Sequence, residues 1–313
     1  MKLWVLAFVA FFVLIVSPFF GPEFISLERI LNGDAAFLFY ELRIPRSLIT
    51  FMAGAGLALS GMTFQSLFRN DLATPYTLGV STGASLGVSL FIASGIYLSG
   101  GTSLFAFLGA LLSVMIVYGI GQTKAKMHMN VVLLAGVAMA MTFSSFIMLI
   151  QVLVKEMDAV RIIRWLMGSI DVVGMESVYA VAPFFFVGIF FIYKKRVELN
   201  LITMGESVAY SRGVDTERLR KHLFLMTSLL VAGIVSECGP IGFVGMMIPH
   251  IGREVVGADH RKLFWFSLLA GGSFLILCDL IGRVFFDSLV LPVGVITALL
   301  GGPFFLYLIL KKK

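Results

Sequence analysis

Charge is scarce in this 313-residue chain. Only 13% of its residues are Asp, Glu, Lys or Arg, while 59% are hydrophobic, and the mean hydropathy is +0.98. Soluble domains carry about 25% charged residues. A chain so short of charge cannot cover a soluble surface, so it reads as a polytopic membrane protein. Cysteine is scarce too. Cys238 and Cys278 both lie in apolar runs, which leaves no disulfide framework or zinc site. The four histidines, His128, His222, His250 and His260, form neither H-E-x-x-H nor an i, i+4 pair, and no metal site is expected. There is no G-x-x-x-x-G-K-[ST] phosphate loop, so ATP, if used, acts on a separate chain. No acid–base or nucleophile constellation is visible. We expect no catalytic residues, no enzyme activity and no bound cofactor. Intramembrane carboxylates are nearly missing as well. Asp279 and Glu237 are the candidates, which argues against an ion-coupled carrier.

What the chain does have is a series of apolar runs near the 20 residues that a span requires. Ten are expected: 3–20, 46–66, 77–97, 104–122, 130–153, 178–193, 222–237, 241–257, 263–282 and 292–310. With both termini inside, 17 Lys and Arg fall in inside segments and 7 in outside ones, accounting for all 24. The net charge of +6 then follows from topology, with no nucleic-acid partner implied. Segment 1–20 has a long core and no A-x-A site, so it reads as a span rather than a signal peptide. The longest polar stretch, 194–221, is too short for a second module. We expect one transmembrane permease domain over 1–313.

Small residues crowd the second and third spans. Gly79, Gly83 and Gly87 lie four apart on one helix face, which allows close helix packing, the lining of a wide path, or both. In 199–221, Thr203 and Glu206 have capping-box spacing, Gly213 suits a helix stop and Asp215 a cap. These predict a short helix over 204–212 that offers a surface to a soluble partner or simply belongs to an interhelical loop. Three outside arginines, Arg43, Arg46 and Arg283, run against the charge bias. They either snorkel at span ends or form a basic surface for an acidic soluble partner.

The ordered motifs R-I-P-R (43–46), F-R-N-D-L-A-T-P (68–75), L-G-V-S-T-G-A (78–84), G-V-D-T-E-R-L-R (213–220), G-F-V-G-M-M-I-P-H (242–250) and L-P-V-G-V-I-T-A-L-L-G-G-P-F-F (291–305) run through nearly the whole chain. In them the chain resembles the FecCD-type permeases of ABC importers for iron–siderophore complexes, haem and cobalamin. The resemblance implies an all-α fold of about ten spans in the inner membrane. It also implies pairing with a second, identical or related permease, two cytoplasmic ATP-binding subunits and an external substrate-binding protein. It gives Arg43, Arg46 and Arg283 the binding-protein docking role, Gly205, Glu206 and Arg212 the ATPase coupling role, and Asn70, Leu72, His128 and Met129 the inner gate. The path would run between two permeases, lined partly by 130–153. Asp71 stands where the family usually has proline, and Val290 where it often has glutamate.

Overall fold

The computed structural model describes residues 2–123, 126–284 and 291–311, so Val290 lies outside the described residues. It is all-α: α1 (Lys2–Val16), α2 (Leu27–Leu31), α3 (Ile44–Phe68), α4 (Val80–Ala93), α5 (Gly101–Gly121), α6 (Met129–Leu153), α7 (Glu156–Leu166), α8 (Glu176–Met204), α9 (Glu206–Ser211), α10 (Thr216–Cys238), α11 (Val244–Val256), α12 (His260–Val284) and α13 (Val293–Lys311). A π-helical turn, Leu38–Arg43, leads directly into α3. Among the described residues the only strand pairing joins Gln122–Thr123 to Lys126–Met127.

Each expected span has its helix, but the lengths differ. Among the described residues six helices are long and apolar enough to cross a bilayer: the Leu38–Phe68 run ending in α3, together with α5, α6, α8, α10 and α12. The expected spans 77–97 and 241–257 shrink to α4 and α11, of 14 and 13 residues. At 1.5 Å per residue each covers about 20 Å, short of the roughly 30 Å hydrocarbon core. The cause is local. Gly79 (φ +79°) holds the chain out of helix until Val80, while Gly239 (φ +66°) and Phe243 (φ +68°) interrupt the chain between α10 and α11. Irregular backbone survives at membrane depth only where protein or a water-filled cavity satisfies it.

Helix α8 departs in the other direction. The span expected at 178–193 continues to Met204, carrying Lys194, Lys195 and Arg196 on helical turns rather than in a loop. The polar stretch 194–221 is therefore mostly helix.

The core sits on α3, 89% of whose apolar window is buried, against 28–33% for α5, α6 and α8. Around it pack α8, α10, α11 and α12. Apolar surface gains little from leaving lipid, so close van der Waals contact must hold the helices together. The glycines supply that contact. A methyl group on Gly61 would strike the Gly245 carbonyl, and one on Gly83 would lie 2.6 Å from the Gly109 carbonyl. The Gly83/Gly87 face expected from spacing thus packs α4 on α5.

Candidate functional site

The bundle has two chemically distinct ends. One carries Lys194–Arg196, Arg218–Lys221 and Arg261–Lys262 and is here called the basic end. At the opposite, far end, α3 begins and α12 finishes.

The three arginines singled out from the sequence do meet at the far end. Arg46 Nη2 lies 2.8 Å from Asp279 Oδ1 and its Nε 3.1 Å from the same oxygen. Arg283 Nε lies 2.9 Å from Asp279 Oδ2, one helical turn away. Arg43 and Arg283 both donate to the Phe20 carbonyl, at 2.6 and 3.3 Å. Asp279 and Arg283 are 2% and 3% exposed, and Arg46 is 16% exposed. These guanidiniums are turned inward, tying α3, α12 and the segment after α1 together. This arrangement differs from a surface of free basic side chains, because a buried carboxylate draws in the cations around it. Asp279 is likewise fully engaged, which leaves no open carboxylate there for ion coupling.

Beside this cluster lies a cavity of about 600 Å³ lined by Arg46, Arg164, Asp171 and Pro292. It shares Met167 with a deeper, apolar cavity of about 690 Å³. The deeper cavity is walled by the two interruptions of regular helix: Leu72, Thr74, Tyr76 and Thr77 from the segment before α4, and Pro240, Gly242 and Phe243 from the segment before α11. Gly294, Val295, Ala298 and Leu299 of α13 close it. No group of three His, Cys, Asp or Glu able to hold a metal ion occurs among the described residues. The lining suits a bulky, pre-wrapped solute better than a bare ion.

The wall between the two cavities is α7, which the sequence reading missed. It has only 11 residues, and a search for 20-residue apolar runs passes over it. Its signal was there in Ala159, Ile162, Ile163 and Leu166, at i, i+3, i+4 and i+7 on one face, with Arg161 and Arg164 between them.

At the basic end, α8 stops at Gly205 (φ +141°) and α9 follows at once. The expected capping box does not form. Thr203 still belongs to α8 and its hydroxyl donates to the Asn200 carbonyl, while Glu206 pairs with Arg220 of α10. Gly213 (φ +77°) ends the turn and Asp215 accepts the Arg218 N–H at 3.0 Å, both as expected. Glu206 and Arg212 are exposed on or beside α9.

The segment after α3 is built by its own polar groups. Asn70 Oδ1 accepts the Leu72 N–H at 2.9 Å, and Asn70 N–H donates to the Gln65 carbonyl. Leu72 is thereby presented to the deeper cavity. His128 and Met129 sit at the start of α6, His128 exposed and Met129 buried; among the described residues neither lines that cavity. The four proposed gate residues are thus in two places within one chain. Asp71 receives Arg253 of α11 at 3.1 Å, a pairing that proline could not make.

A polar network, buried at Ser66 and His260 and exposed at Arg69, links these parts. Arg69, at φ +47°, ends α3 in a left-handed conformation costing a non-glycine residue about 1–2 kcal/mol. Its Nη2 donates to the Ile202 carbonyl of α8 at 2.6 Å. One turn back, Ser66 Oγ lies 2.6 Å from His260 Nε2, and His260 Nδ1 lies 2.7 Å from Asn200 Oδ1. Asn200 Nδ2 donates to Asp259 at 2.7 Å, which fixes the amide orientation. Asn200 Oδ1 can then only accept, so a proton belongs on His260 Nδ1, while the one Ser66 hydroxyl proton faces both His260 Nε2 and the Met62 carbonyl at 2.8 Å. Asp259 lies outside the spans. The Arg261 backbone N–H, and after it the Asn200 amide, hold its carboxyl below the usual carboxylate range.

Comparison with known proteins agrees with this architecture. The model of the FecCD transport family matches residues 8–311. A protein of Halobacterium salinarum named as a cobalamin import system permease is 37% identical over 87% of this chain and 73% of its own. A Helicobacter pylori protein named as an iron chelatin transport system permease is 31% identical over 100% of this chain and 99% of its own. Among solved structures, one described as an inward-facing conformation of a metal-chelate type ABC transporter superposes with a TM-score of 0.87. It is 29% identical and covers 99% of this chain and 98% of that one.

Proposed function

Because this chain belongs to the FecCD transport family of ABC transporter permeases, we propose that it carries an iron–siderophore complex inward across the inner membrane. The carrying observation is the pair of adjoining cavities. A largely apolar one with Arg46, Arg164 and Asp171 in its wall shares Met167 with a second apolar one of about 690 Å³ set between two interrupted stretches of helix. A chelate with an organic exterior needs room and apolar walls, and no protein ligand for its metal.

In this reading the basic end is cytoplasmic, as are both termini, and the far end faces the binding protein. Two permeases, identical or related, enclose the path. A loaded binding protein docks near Arg43, Arg46 and Arg283. Two separate ATPases press on α9, with Gly205 as its pivot and Glu206 and Arg212 as contacts. The segment at Asn70 and Leu72 and the start of α6 at His128 and Met129 close the path below. The permease does no covalent chemistry; it converts a domain motion into alternating access.

Haem and cobalamin are the alternative cargoes within the same family. The test is uptake of labelled ferric siderophore, haem and cobalamin into proteoliposomes that hold the permease with its ATPase, the binding protein being added outside. ATP-dependent accumulation of the siderophore alone is expected. Accumulation of one of the others would reassign the cargo. Uptake driven by an ion gradient without an ATPase would overturn the reading.

A further inference from the structure

The polar network at the basic end has more connections than the packing of three helices requires. It touches both elements that the proposed function asks to move together. Asn200 and Ile202 lie in the last turns of α8, immediately before Gly205 and α9. Ser66 and Arg69 lie in the last turn and cap of α3, immediately before the Asn70–Leu72 segment. His260 stands between them, 3% exposed, joined to Ser66 at 2.6 Å and to Asn200 at 2.7 Å.

Arg69 makes the second crossing. The last carbonyls of a helix have no partner within it, and they carry the negative end of its dipole. The Arg69 guanidinium meets one of them, Ile202, at 2.6 Å, beside the Gly205 N–H that caps the same carbonyl at 3.2 Å. Arginine is a poor choice for a position at φ +47°, where glycine or asparagine is at ease. The backbone gains nothing from arginine here, whereas the contact with α8 does.

We propose that Arg69, Ser66, His260 and Asn200 form a strut that makes the end of α8 and the segment after α3 move as one body. Displacement of α9 is thereby delivered to Leu72 at the mouth of the apolar cavity. The four are positioning residues: they touch neither cargo nor ATP. The proposal rests on the permease reading above for its purpose, and its structural half can be tested without it.

Arg69→Gly separates the two possible reasons for Arg69. Glycine suits the backbone and removes the guanidinium. If the strut exists, Arg69→Gly melts no lower than wild type. In the reconstituted complex it should keep ATP hydrolysis within about twofold while cargo uptake per ATP falls at least fivefold. Asn200→Ala should uncouple in the same sense, and the double variant should be more severe than either single one, since the two cut parallel crossings between α3 and α8. Wild-type uptake per ATP in Arg69→Gly would overturn the proposal. So would a lowered melting temperature with uptake and hydrolysis lost together, which is the mark of a folding role.

The second measurement uses the permease alone in nanodiscs. Hydrogen–deuterium exchange over residues 69–79 should rise at least threefold in Arg69→Gly and in Asn200→Ala, with α5 unchanged. Unchanged exchange over 69–79 in both variants overturns the strut whatever the transport assays show. A wild-type complex without ATP-driven uptake would instead count against the permease reading, leaving the exchange result to decide the strut.

Discussion

At the far end one buried carboxylate, Asp279, holds Arg46 and Arg283; at the basic end Ser66, His260 and Asn200 share short hydrogen bonds in line. Both join α3 to α12, but they answer differently to being parted. Charges withdrawn from water lose heavily when one partner leaves, because the other stays buried and uncompensated. Hydrogen bonds to neutral groups cost less each, and water arriving from outside the bundle can replace them. The far end is built as a clamp, the basic end as a joint that can be remade. An alternating-access protein needs both, so that motion at one end is not dissipated by slack at the other.

The comparison breaks most readily at Asp279. Asp279→Asn leaves the buried Arg283 without a counter-charge and Arg46 with only the exposed Asp171 at 4.0 Å, and we expect a loss of about 3–5 kcal/mol. Thermal unfolding in detergent should show it as a large fall in melting temperature; an unchanged value would mean that the clamp does not carry the far end.

Charge reversal of two arginines sharpens the point. Arg283→Glu, buried beside Asp279, should prevent stable folding. Arg43→Glu, whose contact is the Phe20 carbonyl, should fold and instead slow association with the binding protein, more so at low salt. Surface plasmon resonance at two ionic strengths would measure this. Equal instability of both variants would erase the distinction between clamp and docking group.

At the basic end Asp71→Asn weakens an exposed pair with Arg253, for which we expect less than about 1 kcal/mol. Its effect should appear in uptake per ATP rather than in melting.

The smallest effect is in pH. The Asp259 carboxyl lies below its unfolded-state value in the folded protein. Its contribution is therefore fully present above that unfolded value, about 4, and is lost as pH falls further. Melting curves below pH 4 should show a small loss in wild type that Asp259→Ala lacks.

Much of the fold was legible. Apolar runs located ten of the described helices, and the four-residue spacing of Gly83 and Gly87 pointed to close helix packing, which the fold makes between α4 and α5. What composition could not show was where backbone leaves the helix inside an apolar run. Thr74–Gly79 and Gly239–Phe243 do carry Pro75 and Pro240 as signals of irregular backbone, but where each interruption ends is fixed by the left-handed Gly79, Gly239 and Phe243. Nor could spacing show that Glu206 turns to Arg220 instead of back to Thr203, since that choice is made by tertiary packing. Asp279 illustrates both limits. Its i, i+4 relation to Arg283 can be read in sequence, whereas Arg46, 233 residues distant, is brought to it only by the fold.

Helix α8 has one more consequence. Its 29 residues reach about 44 Å, some 14 Å beyond the hydrocarbon core, and Lys194, Lys195 and Arg196 sit where it emerges. Those cations act as a plimsoll line, floating the protein at one depth against the lipid phosphates. Everything past them, α9 included, stands on a post of fixed height above the headgroups. The height of α9 above the lipid surface is then set by the pitch of one helix, and a bilayer made a few ångströms thicker should drown the post.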